Sequence, residues 1–69
     1  SANIIFECAG NANIISKCEG NDNIISKCRG NANIDSECGE NANEFIEWGR
    51  NNNIISDCAE MRAQSKDYF

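Results

Sequence analysis

The residues of this chain best suited to chemistry are its five cysteines, because thiols form disulfides, bind metals and act as nucleophiles. They recur every ten residues, except that Trp48 takes the place of one of them. The set is Cys8, Cys18, Cys28, Cys38 and Cys58. The chain has no histidine and no Cys-x-x-Cys pair, so the spacing does not favour a structural zinc site. The cysteines therefore follow a sequence repeat, and we expect no metal site.

We predict that all five thiols are reduced and buried, where cysteine behaves as a small apolar residue. Thiols stacked in register aim their Cβ atoms poorly for a relaxed disulfide. In addition, Trp48 cannot replace half of a cystine without leaving its mate unpaired. An odd number of free thiols favours a reducing compartment, and we expect a cytoplasmic location.

Acidic side chains are the other candidates for chemistry, with 11 Asp and Glu against 6 Lys and Arg and a net charge of -5. They occur singly, and no nucleophile motif or phosphate-binding loop accompanies them. We therefore expect no catalytic residues, no enzyme activity and no cofactor. The acidic balance argues against nucleic acid as a partner. The longest apolar run is far short of the 18 residues that would indicate a membrane span.

These side chains are carried by six blocks of ten residues that run from Ser1 to Glu60 without insertion or deletion. A fixed period is typical of stacked-repeat architectures. Adjacent β-branched Ile residues bounded by Gly and Asn indicate short strands separated by turns. The predicted fold class is all-β, a small β-solenoid (parallel β-helix) of ten-residue repeats over residues 1–60, with a short helical C-terminal cap over residues 61–69.

The number of residues in each coil is not fixed by the repeat. One block in each coil gives six coils and a height of roughly 28 Å. Two blocks in each coil give three coils of 20 residues. Blocks 11–20 and 21–30 differ at only two positions, and so they do not choose between the two layouts.

Asparagine fills the third position of every block, where stacked amides can hydrogen bond to each other along the axis. Asparagine also tolerates the left-handed backbone conformation that a tight corner needs. We predict that this column and the cysteine column are structural ladders. The asparagines are Asn3, Asn13, Asn23, Asn33, Asn43 and Asn53.

Alternation along a strand predicts that the fourth, sixth and eighth positions point inward and the fifth points outward. The fifth position would then form an exposed apolar stripe, which we interpret as a surface for a homodimer or another partner. The alternative is that a bend at the Ile-Ile pair turns both side chains inward. The interface candidates are Ile5, Ile15, Ile25, Phe45, Ile55 and Trp48.

The fifth block departs from the pattern, with Glu44 in an Ile position and larger residues at three others. Phe45, Ile46 and Trp48 are the enlarged residues. Either a larger core residue compensates for the lost Ile, or Phe45 and Trp48 mark a contact site, since aromatic residues are enriched at binding hot spots.

The two ends of the solenoid differ in sequence. Asp57 and Glu60 resemble a capping box, which predicts a short helix or turn whose Met61, with Tyr68 or Phe69, lies over the last coil. The first block is in full register from Ala2, so we expect the upper end to be closed by a second copy or by an upstream domain of a longer parent chain.

We therefore predict a non-enzymatic structural or protein-interaction module that self-associates through the Ile column or the uncapped N-terminal end. The Cys-x-Gly of the first three blocks is similar to the repeats of small-coil insect antifreeze proteins, which implies flat-surface binding of ice or carbohydrate as the alternative. Those repeats carry two cysteines and a row of Tyr or Thr, whereas this chain has one cysteine in each block, a lone Tyr68 and no Thr. Asn ladders and Ile pairs also suit an amyloid-like templating segment.

Overall fold

The structure, a computed structural model, describes residues 3–39 and 41–66. All regular elements in these residues are β-strands. In chain order they are β1 (Asn3–Cys8), β2 (Ala12–Cys18), β3 (Asn23–Cys28), β4 (Ala32–Cys38), β5 (Asn43–Trp48), β6 (Asn52–Ser56) and β7 (Glu60–Ser65).

The strands form two parallel sheets, and successive strands alternate between them. One sheet has the order β1-β3-β5-β7 and the other β2-β4-β6; we call them sheet A and sheet B. The strand pairings from β1 to β6 all join residues 20 apart, such as Asn3 with Asn23 and Ile14 with Ile34. One coil therefore contains two blocks, and the chain makes a β-solenoid of about three turns.

Side chains of the middle strands alternate between core and surface, as the sequence predicts. In β2 the residues at the second, fourth, sixth and eighth block positions are buried, and those between them are exposed. The fourth-position residues Ile14, Ile24 and Ile34 lie in the core. The alternative in which both residues of each Ile-Ile pair point inward is wrong, since Ile15 is 80% exposed.

The core has an apolar half. Because the chain reverses between sheets, the last inward positions of a sheet A strand face the first inward positions of the following sheet B strand. Buried Cys28 and Ile46 of sheet A cluster here with Ile34 of sheet B. Trp48 is half-buried and packs against the same cluster.

The other half of the core contains polar side chains beside buried Ile24. Glu44 of sheet A is only 3% exposed and faces Ser36 of sheet B, which donates a hydrogen bond to its carboxylate. Asp22 is also buried and hydrogen bonds to the thiol of Cys18. The serine column of sheet B therefore lines a narrow, partly polar interior.

The predicted asparagine ladders are present, one on the outer face of each sheet. On sheet A the side-chain amide of Asn23 donates to Oδ1 of Asn3 at 3.0 Å, and Asn43 donates to Asn23 at 3.2 Å. On sheet B, Asn33 donates to Asn13 at 3.2 Å.

The ladder asparagines lie in strands. The expectation that they adopt the left-handed conformation of a tight corner is therefore wrong. Among the described residues none other than glycine has a positive φ, and Gly20 is the glycine that does, at 74°. The first-position asparagines act at the corners instead. Oδ1 of Asn11 accepts from the backbone N–H of Asn31 at 3.0 Å, and Oδ1 of Asn31 accepts from Asn51 at 3.1 Å.

The prediction of a C-terminal helical cap is wrong, because Glu60–Ser65 forms β7, a further strand of sheet A. It pairs with β5 in a register that places Met61 beside Glu44. Asp57, predicted to start a helix, accepts a hydrogen bond at 2.7 Å from the backbone N–H of Cys38. The predicted contacts of Tyr68 and Phe69 lie outside the described residues.

Candidate interaction surfaces

The 20-residue coil divides the fifth-position stripe between two opposite faces. Face A, on sheet A, consists of Ile5, Ile25 and Phe45, which stack in register. Face B, on sheet B, consists of Ile15, Asp35 and Ile55. The candidate interface residues therefore do not form one continuous column.

Face A is an uninterrupted apolar row. Ile5 is 62% exposed, while Ile25 and Phe45 are half-buried. The row lies beside the amide ladder of sheet A, and together they line a shallow groove bounded at its lower end by Glu60 and Arg62. The groove thus combines apolar side chains with a row of amides at a regular spacing of roughly 4.8 Å.

Face B is broken by a charge. Asp35 occupies the central coil between Ile15 and Ile55, which are 80% and 65% exposed. A carboxylate between two isoleucines must be desolvated if the face is covered, which opposes burial against another apolar surface. Face A is therefore the better apolar contact surface.

Trp48 does not belong to either face. It occupies the inward eighth position, stacked in register on Cys28 of the adjacent strand. Its packing against the core cluster supports the compensation account of the fifth block. Ile46, which replaces the serine of the other blocks, is fully buried in the same cluster.

Both ends of the solenoid present open strand edges. At the upper end β1 and β2 each have one neighbour among the described strands, and at the lower end so do β6 and β7. A free strand edge carries unpaired backbone donors and acceptors that another strand can satisfy.

No described residue covers the core at either end. Inward residues of the middle coils are buried, whereas Ile4 and Phe6 at the upper end and Ile54 at the lower end are half-buried. Met61 on β7 is 43% exposed. Each end therefore combines open backbone edges with apolar side chains.

The cysteines form two columns, one in each sheet. Cys8 and Cys28 stack with Trp48 in sheet A, and Cys18 stacks with Cys38 in sheet B. Trp48 therefore does not interrupt the column of sheet B, where Cys38 and Cys58 lie one coil apart.

The prediction that all five thiols are free is wrong for one pair. A disulfide joins Cys38 to Cys58, whose Cα atoms are 4.8 Å apart. Parallel in-register stacking brings successive Cα atoms within the range that a disulfide spans. Cys8, Cys18 and Cys28 are free thiols. The cytoplasmic location rested on all five being free, and it stays a prediction.

Two of the free thiols are held protonated by their surroundings. Burial raises the pKa of Cys28 to about 11, and the neighbouring Cys8 thiol adds to the shift. Burial also raises the pKa of Cys18, assisted by the charge and hydrogen bond of Asp22. A thiol kept neutral is a poor nucleophile and a poor metal ligand.

The described residues offer few other sites for chemistry. Within residues 3–39 and 41–66, no group of three or more Cys, Asp or Glu side chains is placed to hold a metal ion. The same ranges contain no helix of the length and apolarity needed to cross a membrane. No family model, curated protein or solved structure matches the chain.

Sequence reasoning did not predict that Glu60–Ser65 forms a strand or that the Glu44 carboxylate is buried. The strand character of β7 has a signal, because Met61, Ala63 and Ser65 alternate with charged or polar residues. Glu44 stands in a position that the repeat assigns to the core, which was a sufficient signal that its carboxylate is buried.

Proposed function

We propose that this chain is a structural repeat module that self-associates through the ends of its solenoid. The observation that supports the proposal is that, among residues 3–39 and 41–66, nothing pairs with the outer strand edges or covers the core residues at the upper and lower ends. A second copy placed at either end satisfies backbone groups and buries apolar side chains in one step.

Association through face A alone is the weaker route. Strands of six residues and three coils give a patch of roughly 20 by 14 Å. Two such patches bury about 600 Å², whereas stable interfaces bury about 1,200 Å² or more. The ends, with extents of 18 and 17 Å across the solenoid, are similar in size, but contact there also pairs backbone groups along two strand edges. Face A therefore contributes a lateral contact once copies stacked end to end have lengthened it.

The chain's charge opposes assembly at low salt. Each copy carries a net charge of -5 at pH 7, and like charges repel over about 10 Å at 0.1 M salt. Added salt screens this repulsion without weakening apolar contacts or backbone hydrogen bonds in the same way. We therefore expect association to increase with salt.

Sedimentation velocity over a range of protein concentrations tests the proposal. Species larger than one chain should accumulate with concentration, and should do so at lower concentration in 0.5 M than in 0.05 M sodium chloride. A chain that stays monomeric at millimolar concentration in both salts contradicts the proposal.

A second candidate function is binding of a flat ligand such as ice or a polysaccharide. The observation that favours it is face A, where an amide ladder runs beside an apolar row at a regular spacing. Co-sedimentation with insoluble polysaccharide and a thermal-hysteresis assay test it. The Ile25→Asp variant, which places a charge at the centre of face A, is the matched control.

An amyloid-like templating role is distinguishable from stacking of folded solenoids. In cross-β fibres each chain adds about 4.8 Å to the fibre length. Folded solenoids stacked end to end add their whole height with each copy. The axial repeat in electron micrographs separates the two.

A further inference from the structure

We propose that copies of this chain stack head to tail with a half-turn between them, so that β1 of each copy pairs with β6 of the copy above and β2 pairs with β7. This inference rests on the proposed self-association and specifies its geometry. It follows from the number of strands and from the register in which they pair.

The half-turn arises because the described strands are odd in number. The described strands alternate between the sheets, and the last of them, β7, belongs to sheet A, with β6 before it in sheet B. The next half-coil position therefore lies in sheet B, directly beneath β6. A second copy continues the solenoid without a gap only if its β1 takes that position, and its β2 then lies beneath β7.

An unrotated copy cannot satisfy both edges. If β1 of the second copy lies beneath β7, the position beneath β6 is empty among the described residues. The edges of β6 and of the second copy's β2 then stay unpaired. Because unpaired backbone groups that lose water are costly, the rotated arrangement is favoured.

The repeat register matches like with like across the β6–β1 joint. Since Asn33 pairs with Asn53 and Ile34 with Ile54, the same columns continue into the second copy. Asn53 then lies over Asn3 of the second copy, extending the amide ladder. Ile54 covers Ile4 of the second copy, and both of these side chains are half-buried in the single chain.

The β7–β2 joint pairs small and apolar side chains. The register of β7 on β5 places Met61 in the fourth column and Ala63 in the sixth. Met61 then covers Ile14 of the second copy, and Ala63 covers its Ser16. Met61, 43% exposed in the single chain, becomes buried in the stack.

One charge pair at the joint is unfavourable. Asp57 of the first copy lies over Glu7 of the second, and both carboxylates are exposed in the single chain. An exposed pair of this kind has a small effect on association, because water and salt screen it. It therefore weakens the joint without preventing it, and added salt reduces its effect.

Cysteine cross-linking distinguishes the two arrangements. The half-turn places position 55 over position 5 of the next copy, while an unrotated stack places position 62 over position 5. We therefore compare Ile5→Cys/Ile55→Cys with Ile5→Cys/Arg62→Cys. The two positions are on opposite faces of one chain in the first variant and three coils apart in the second, so neither pair links within a chain.

The variants are oxidised briefly at a concentration where larger species form, and linked peptides are identified by mass spectrometry. The half-turn predicts a 5–55 link between chains in the first variant and no 5–62 link in the second. The single variant Ile5→Cys is the matched control, because a 5–5 link reports face A contacting face A. Peptide mapping separates these links from those of the native thiols.

The outcomes separate this inference from the proposed function. Association with a 5–62 link, or with a 5–5 link alone, overturns the half-turn and leaves self-association in place. A monomer at all concentrations overturns both. Where filaments form, their helical symmetry gives a second measurement: the half-turn predicts about 17 Å of axial rise for each chain, from three and a half coils. A rise of about 19 Å without rotation overturns it.

Discussion

The hydroxyl of Ser36 donates a hydrogen bond to Oε2 of Glu44, across the interior between the two sheets, with an oxygen–oxygen distance of 2.5 Å. Both side chains are buried, and Oε1 of Glu44 lies 3.7 Å from the sulfur of Cys58. The carboxylate that replaces an isoleucine in the fifth block is thus supported by the serine column of the opposite sheet.

Ser36→Ala should destabilise the protein by about 1–3 kcal/mol, because it leaves a buried carboxylate without its hydroxyl donor. Ser26→Ala is the matched control, since the Ser26 hydroxyl is buried with no hydrogen-bond partner among the described residues. Removing that hydroxyl should be neutral or stabilising. Urea unfolding midpoints measure both. Equal losses in the two variants would show that the Ser36–Glu44 bond contributes nothing.

Gly30 occupies a corner where one coil touches the next. A Cβ at this position would lie 2.5 Å from Oδ1 of Asn11 and 2.9 Å from the carbonyl carbon of Gly10. Gly30→Ala should therefore cost about 1–3 kcal/mol, because the corner must shift. At Gly10 a Cβ meets no atom within 4 Å. Gly10→Ala should be neutral or stabilise by up to about 1 kcal/mol. Thermal unfolding measures the difference, and the opposite order would contradict the coil packing.

Much of this architecture can be predicted from the sequence, because a period of ten with alternation inside it leaves few folds. The inward fourth position and the stacked amides follow directly from that pattern. The size of the coil does not, since Ile14 and Ile24 have almost identical sequence neighbours although they lie in different sheets. The division of the interface candidates into two faces is a consequence of the coil size, and so it could not be predicted either.

The lower end was mispredicted for a physical reason. Residues 60–65 have a composition that favours helix, and local propensity is overridden when a strand edge is available for pairing. β5 offers that edge, and Met61 and Ala63 alternate as a strand requires. The Cys38–Cys58 disulfide does not follow from the sequence repeat, because the repeat alone places both cysteines in one column with Trp48 between them.

The attachment of β7 should weaken in acid. Glu47 on β5 accepts a hydrogen bond at 2.7 Å from the side-chain amide of Gln64, and its carboxylate lies 3.5 Å from Nζ of Lys66. The Gln64 bond and the Lys66 charge lower the pKa of Glu47 from its ordinary value of 4.5. The stabilisation is therefore complete above pH 4.5 and is lost as the pH falls through the lowered value.

Amide hydrogen exchange measures this loss directly. Protection of β7 amides should fall more steeply below pH 4.5, after correction for intrinsic rates, than protection of β3 amides. Glu47→Gln should reduce β7 protection at pH 7 and remove its additional acid sensitivity. Unchanged pH dependence in that variant would assign the effect to another group.

The two buried free thiols, Cys18 and Cys28, should react slowly with alkylating agents at pH 8. Since the pKa of Cys28 is raised to about 11, its alkylation by iodoacetamide should be slow at pH 8 and continue to accelerate up to about pH 11. The pKa of Cys18 is also raised, so its alkylation should likewise be slow at pH 8. Mass spectrometry of labelled peptides follows each site. Rapid labelling of Cys28 at pH 8 in the folded chain would contradict its burial.

The coil of 20 residues is the claim on which the faces, the ladders and the stacking geometry all depend. Nuclear Overhauser contacts between backbone protons of paired strands test it, measured on dilute monomer. The account predicts contacts between Ile14 and Ile34 and between Ile24 and Glu44, and none between Ile14 and Ile24. Contacts between residues ten apart, with none between residues 20 apart, would contradict it.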